Sequence, residues 1–316
     1  MTLRLPDHWL WDFWFAQPRD DEVHAFYLQA PRALGDPDAR HHNATIGHAV
    51  SSDLRTWRVL PDALGPGPPG AFDDLATWTG SVVRHDGRWH LLYTGVSRAE
   101  AGAVQRVGLA SSDDLVSWER HGLVCEADPA WYGTAEWRDP WAVWDEDTQR
   151  FHMLLTASAA DGPDDARGVI AHATSRDLRS WEAGPPLSQP GEFRQLEVPQ
   201  LVRLGGAWRI LFSATHDDHG ADRLRRTGVA HCGTHYLSSA EKFGAYALDG
   251  DDFLVGDEAG RYYAGRLLFH RGSCSFLAWR LRDERGRFVG ELSDPMPVTV
   301  AADASISVDV PPELVP

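Results

Sequence analysis

Three carboxylates in this chain stand in surroundings that could give them chemistry. Asp12 lies in Trp9-Leu10-Trp11-Asp12-Phe13-Trp14, Asp139 in Trp137-Arg138-Asp139-Pro140, and Glu197 in Leu196-Glu197-Val198-Pro199-Gln200. Aromatic and apolar neighbours desolvate a carboxylate and so tune its pKa. Two such groups flanking a glycosidic bond can cleave it: one attacks or activates water, the other protonates the leaving oxygen. The acid must hold its proton near neutral pH, which a neighbouring carboxylate and apolar walls both favour. Singly, each has an ordinary reading. Arg138-Asp139-Pro140 alone would be a turn with a local ion pair, and Glu197 before Val198-Pro199 an edge-strand charge. The three are far apart in sequence, so only a closed, radial fold would gather them.

The chain carries the repeats such a fold needs. Ser51-Ser52-Asp53-Leu54-Arg55-Thr56-Trp57 recurs as Ser112-Asp113-Asp114-Leu115-Val116-Ser117-Trp118 and as Ser175-Arg176-Asp177-Leu178-Arg179-Ser180-Trp181, a period of about sixty residues. Each copy follows a short apolar run, at residues 46–50, 107–110 and 169–173. The Asp-Leu-x-x-Trp segment reads as a turn whose Asp bonds local backbone N–H groups. Its Leu and Trp are expected to pack back on the sheet. A second series keeps step: residues 23–28, 89–94, 151–156, 208–213 and, more weakly, 275–279 are β-branched and aromatic runs bounded by turn residues. Helical periodicity is absent. Short strands repeated in this way predict an all-β fold, a five-bladed β-propeller of four-stranded blades. It is expected as one domain over residues 1–316, with 294–316 as a closing or bracing tail. The stretch Gly65-Pro66-Gly67-Pro68-Pro69-Gly70 predicts a surface loop between blades. In a propeller the innermost strand of each blade faces the central channel. Asp12 falls in the first such strand, Asp139 in the third and Glu197 in the fourth.

Composition narrows the partners. A hydrophobic fraction of 43% and a charged fraction of 24% are those of a soluble globular protein. The net charge of −16 disfavours nucleic acid and anionic membrane and is compatible with a neutral sugar. Met1 to His8 contain no apolar core of a secretory leader, and no apolar run approaches membrane-spanning length, so a cytoplasmic location is expected. Cys125, Cys232 and Cys274 form no CxxC pair and are read as free or buried thiols. Of the 14 tryptophans, Trp57, Trp118 and Trp181 are expected to pack blades. Trp11, Trp14 and Trp78, beside the motif residues, are candidates for stacking on a sugar ring.

These motifs, taken in order, resemble the fructoside-acting propellers of glycoside hydrolase families 32 and 68. Trp11-Asp12-Phe13-Trp14 resembles the Trp-Asp-Ser-Trp nucleophile segment of levansucrases, where invertases carry Trp-Met-Asn-Asp-Pro-Asn-Gly. Trp78-Thr79-Gly80-Ser81 resembles the aromatic-Ser-Gly-Ser segment, followed by Leu92-Tyr93-Thr94-Gly95. Arg138-Asp139-Pro140 matches Arg-Asp-Pro, and Glu197-Val198-Pro199 is similar to the Glu-Cys-Pro and Glu-Arg-Pro acid/base motifs. Gly47-His48-Ala49-Val50-Ser51, with Asp53-Leu54 and Trp57, resembles an invertase segment; Tyr262-Tyr263-Ala264 lies where invertases carry an Asp-Phe-Tyr-Ala-like strand. The resemblance implies a retaining β-fructofuranosidase, with Asp12 as nucleophile, Glu197 as acid/base and Asp139 as transition-state stabiliser. It further implies sugar contacts from Trp11, Trp14, Gln29, Trp78, Ser81 and Arg138 and possible transfer to a second sugar; as a departure from family 32, no trailing β-sandwich is expected. No metal or organic cofactor is expected, and the partner is a small carbohydrate.

Two other readings stay open. One is a family 43-like inverting arabinofuranosidase or xylosidase, which also uses three carboxylates on five blades. The other is a non-catalytic sugar-binding propeller. His41-His42-Asn43 and His216-Asp217-Asp218-His219 could hold a metal, but no third ligand is placed by spacing. They are read as solvated loop residues at the pocket mouth. Arg223-Leu224-Arg225-Arg226 is too short for a nucleic-acid patch. Oligomeric state and natural sugar are not legible in the sequence.

Overall fold

The two repeated series fold as the inner rungs of five antiparallel sheets. A computed structural model describes residues 3–311. Blade I is β1 (His8–Arg19), β2 (Glu22–Pro31), β3 (Thr45–Ser51) and β4 (Arg58–Leu64), paired in that order. Blade II is β5 (Ala76–His85), β6 (Arg88–Val96), β7 (Gln105–Ser112) and β8 (Glu119–Cys125). Blade III is β9 (Tyr132–Asp145), β10 (Arg150–Ala159), β11 (Gly168–Ser175) and β12 (Trp181–Gly184). Blade IV is β13 (Glu197–Leu204), β14 (Ala207–Ala214) and β15 (Cys232–Ser239), whose outer edge pairs with β16 (Ala247–Leu248) and β17 (Val255–Asp257). Blade V is β18 (Tyr262–His270) and β19 (Ser273–Arg282), with β20 (Phe288–Leu292) and β21 (Met296–Val300) both on β19, and β22 (Ile306–Val308) outermost. The fold is a five-bladed β-propeller. The aromatic series occupies second strands and the runs before each Asp-Leu-x-x-Trp occupy third strands, as the repeats predict.

The repeated turns act through their Asp. The Oδ1 atoms of Asp53, Asp114 and Asp177 each accept two backbone N–H groups, from Arg55 and Thr56, Val116 and Ser117, and Arg179 and Ser180. The preceding Ser hydroxyl accepts the Asp N–H in every copy. Leu54, Leu115 and Leu178 then take φ of 61°, 65° and 63°. That left-handed backbone costs roughly 1–2 kcal/mol for a non-glycine residue. Burial of the three Leu side chains and the Asp bonds offset it. In blades II and III the indole N–H of Trp118 and Trp181 donates to the Leu115 and Leu178 carbonyls.

The ring closes through β1, which contacts β18, β19 and β20. Leu292 N–H donates to Leu3 O at 3.0 Å, and Arg32 reaches the carbonyls of Val289 and Gly290. The described part of the expected tail supplies outer strands of blade V. It also braces blade IV, where Arg209 donates to Ala304 O at 2.8 Å; residues 312–316 lie outside the described residues, as do Met1 and Thr2. Residues 65–70 link blade I to blade II as expected. Cys125, Cys232 and Cys274 are free, the first two buried. Among the described residues, no helix is long and apolar enough to cross a membrane.

Candidate active site

At one level of the channel all five innermost strands break register. The breaks fall between Trp11 and Phe13, Trp78 and Gly80, Glu197 and Gln200, Tyr263 and Arg266, and opposite Asp139 on β10. A bulge inserts one unpaired residue and re-aims the side chains around it. Asp12 takes φ 25°, Asp139 58°, Val198 55° and Ala264 50°. Asp tolerates this region; Val does not readily. Val198 is held there because its N–H donates to Asp139 Oδ2 at 3.1 Å, which ties blade IV to blade III.

These bulges converge on one cavity of about 380 Å³, within the range of small-ligand sites. Each blade contributes: Trp11 and Asp12, Trp78 and Thr79, Arg138 and Asp139, Glu197, and Tyr263 all line it. Asp12 accepts the Thr79 hydroxyl on Oδ2 at 2.9 Å and the Trp279 indole N–H on Oδ1 at 3.1 Å. Asp139 is buried and accepts the Thr156 hydroxyl at 2.8 Å. Glu197 accepts from Tyr263 O–H at 2.5 Å and from Arg138 Nη2 at 2.7 Å. Arg138 is fixed in turn by Gln105 Oε1 at 3.1 Å and by Gln195 Oε1.

The electrostatics separate the carboxylates. Burial, then the charges of Asp139 and Glu197, push Asp12 up to about 7. Burial raises Asp139 as well, against the nearby Arg138 guanidinium. Burial acts the same way on Glu197, but Arg138 and the Tyr263 hydrogen bond outweigh it and hold Glu197 below the usual carboxylate range. Of the two, burial therefore favours the protonated form of Asp12 over that of Glu197. A fourth carboxylate, Asp218, is raised to about 6 by burial and by Glu197.

Of the residues expected at the site, Asp12, Asp139, Glu197, Trp11, Trp78 and Arg138 line the cavity, and three others do not. Trp14 lies past the bulge at Asp12, which breaks the alternation that would put residues 12 and 14 on one face; it lines a second cavity farther along the channel. Gln29 sits on the second strand and spends its amide on Asp62 Oδ1 and Thr45 Oγ1. Ser81 accepts the Ala142 N–H at 3.0 Å and so links blades II and III, leaving Thr79 to reach Asp12. Asp218 and His219, expected as solvated, are buried. Asp218 lines the cavity, while His219 bonds the His231 carbonyl. Sequence reasoning did not find Arg40, Gln105, Gln195, Thr215, Tyr263 or Trp279 as lining residues. Only Tyr263 had a signal, in Tyr262-Tyr263-Ala264. Arg40 and His41 come from a 3-10 turn, Pro37–Asn43, pinned as a wall by the Trp78 indole N–H on His41 O at 2.7 Å. The Arg40 guanidinium lies 5.5 Å from the Trp11 ring.

The model of the glycosyl hydrolases family 32 N-terminal domain matches residues 9–281. The chain belongs to glycosyl hydrolase family 32. Within that family it is 28% identical to sucrose-6-phosphate hydrolase of Bacillus subtilis over 265 residues, 81% of this chain and 51% of that protein. It is 31% identical to raffinose invertase of Escherichia coli over 188 residues, 55% of this chain and 37% of that protein. The match thus spans about half of the first relative and little over a third of the second. Among solved structures, inulosucrase from Halalkalicoccus jeotgali bound to kestose superposes with a TM-score of 0.78 at 22% identity, over 100% of this chain and 93% of that one. At that identity the likeness speaks to the shared propeller.

Proposed function

We propose that this family 32 chain is a retaining glycosidase acting on β-D-fructofuranosides, sucrose or small fructo-oligosaccharides, with transfer to a second sugar as a side reaction. The observation that carries the reading is the convergence of Asp12, Asp139 and Glu197 on one cavity walled by Trp11, Trp78 and Trp279. Asp12 attacks the anomeric carbon while Glu197 protonates the departing oxygen; water or a sugar hydroxyl then resolves the fructosyl-enzyme, with Glu197 now acting as base. Asp139 accepts fructosyl hydroxyls more strongly as oxocarbenium character grows. Arg138 holds Glu197 in place.

Burial favours a proton on Asp12, so for this to run that proton must sit on Glu197 instead. Positive charge developing at the anomeric carbon beside Asp12 favours its ionised form, and a leaving oxygen beside Glu197 favours the protonated acid. Catalysis then draws on the tautomer with Asp12 ionised. The relatives' names support the substrate class, being a sucrose-6-phosphate hydrolase and a raffinose invertase. A cytoplasmic setting, with small sugars as partners, fits this reading.

The test is a panel of sucrose, inulin and levan oligomers, and aryl arabinosides and xylosides, with products followed by NMR. Fructose released first as the β-anomer is expected. Pentose release with inversion would move the chain to a family 43-like chemistry. Binding without release from any substrate would leave a sugar-binding propeller.

A further inference from the structure

The second cavity, about 340 Å³, lies where the same innermost strands run on past their bulges. Its lining takes residues 14 and 15 of β1, 141 of β9, 200–203 of β13 and 266–269 of β18. Each follows a residue of the carboxylate cavity on its strand, so the two cavities sit at successive levels of one channel. Their chemistry differs sharply. The chain carries 46 acidic against 30 basic residues. Yet among the residues that line the second cavity there is no carboxylate, and there are two arginines, Arg203 and Arg266.

Arg266 is the unusual one. Its side chain is 1% exposed. Its Nε donates to Phe13 O at 3.2 Å and its Nη1 to Pro199 O at 2.6 Å. Its guanidinium carbon lies 5.0 Å from the centroid of the Trp141 ring. No carboxylate among the described residues pairs with it, and its remaining N–H groups have no acceptor among them. A buried cation without a counter-charge is costly, and proteins ordinarily pair it. Burial pulls Arg266 down to about 10, although the charges of Asp139 and Asp12 act the other way. Two tryptophans that line the cavity, Trp14 and Trp141, carry further donors. The indole N–H groups of Trp14 and Trp141 are buried without a hydrogen-bond partner. Trp14 itself is fully buried. Orphaned buried donors are rare in folded proteins and ask for an acceptor.

We propose that this second cavity is a binding site for a small, weakly hydrated monovalent anion of the halide class, held by Arg266 and the indole N–H groups of Trp14 and Trp141. The one buried cation, Arg266, matches one negative charge; Arg203, the other cation that lines the cavity, is exposed and screened by water. Phe15, Leu201 and Leu267 add apolar wall that suits an ion that sheds water easily, and Gln17 and Gln200 add the only other polar side chains that line the cavity. Arg203 at the exposed rim draws anions toward the mouth. Arg266 and the two indoles can only donate, and the Gln200 amide oxygen is already taken by the Leu267 N–H, so the set favours an anion.

The test does not use turnover, so its outcome is independent of the glycosidase reading. Bromide is titrated into halide-free protein at constant ionic strength with gluconate as the balancing anion, and the melting temperature is followed. Crystals soaked in bromide are examined for anomalous density. The expected result is a saturable rise of about 2 °C at ten times the dissociation constant, with bromide density against the Arg266 guanidinium. Trp141→Phe, which keeps the ring under Arg266 and removes one donor, is expected to weaken bromide binding about tenfold. Trp14→Phe removes the other donor and serves as the second variant should the first fold poorly. A melting temperature that follows ionic strength alone, density absent from the cavity, or an unchanged bromide response in these variants would overturn the proposal.

Discussion

The two levels of the channel are built from the same strands and carry opposite chemistry. At the first level every innermost strand is bulged, and Asp12, Asp139, Glu197 and Asp218 line one cavity with Arg138 and Arg40. At the second the strands have resumed regular pairing, and Arg266 stands among indoles and aliphatic side chains with no carboxylate. Bulges are what permit the first arrangement. A regular strand sends alternate side chains to opposite sides, and only an extra residue lets neighbours such as Trp11 and Asp12 line one cavity. The carboxylates are thus concentrated where the backbone is bulged, and they are absent from the cavity lining where it is regular.

The sharpest way to break this contrast is at the carboxylates. Asp12→Asn or Glu197→Gln is expected to lower kcat by roughly 10³-fold or more, while circular dichroism stays native. Near-normal turnover in either variant would remove the assigned roles. Asp12→Asn should also stabilise the fold at alkaline pH. Asp12 rises from 3.8 to about 7 on folding, so between those values the native state binds more protons than the unfolded chain, and stability falls as pH rises. The variant has no such loss, and its advantage, at most a few kcal/mol at about 1.4 kcal/mol per unit, should be full above pH 7 and vanish near pH 4. Denaturant melts at the two pH values check it; an equal difference at both would contradict the shifted pKa.

The pH profile of kcat/KM probes the same pair. Activity needs one proton between Asp12 and Glu197. Below the depressed Glu197 value both are protonated and no nucleophile exists; above about 7 both are ionised and no acid remains. A bell with its alkaline limb near pH 7 is expected. Tyr263→Phe removes a hydrogen bond that holds Glu197 down, so the acid limb should move to higher pH and kcat should fall by about tenfold to a hundredfold. An unmoved acid limb would mean that Tyr263 only packs.

Smaller effects belong away from the carboxylates. Asp177→Ala deletes two turn bonds and should cost about 1–2 kcal/mol in urea unfolding with kcat/KM unchanged. Trp14→Phe should leave kcat/KM within about twofold, a surface-like effect on the reaction, because Trp14 faces the second level; a large rise in KM would return it to the sugar site.

Much of this molecule could be read from residue order. The sixty-residue repeat betrays five blades because each blade is one hydrophobic unit that must stack on its neighbours. The Asp of each repeated turn announces its own backbone bonds, since those partners are two and three residues away. Asp12, Asp139 and Glu197 could be assigned to innermost strands for the same reason: strand rank within a repeat is a local property. What surrounds them was decided only in three dimensions. Trp14 by sequence neighbourhood, and Gln29 and Ser81 by resemblance, were candidates, but a bulge, a second-strand position and an inter-blade bond respectively take them away from the cavity. Arg40, Gln105, Gln195, Asp218 and Trp279 arrive from turns and strands of different blades, where no spacing rule operates. The raised pKa of Asp12, and the burial of Arg266 without an ion-pair partner among the described residues, are likewise decided in the tertiary structure. Both depend on which charges burial brings near and which it keeps apart, and that sum is taken over space and not along the chain.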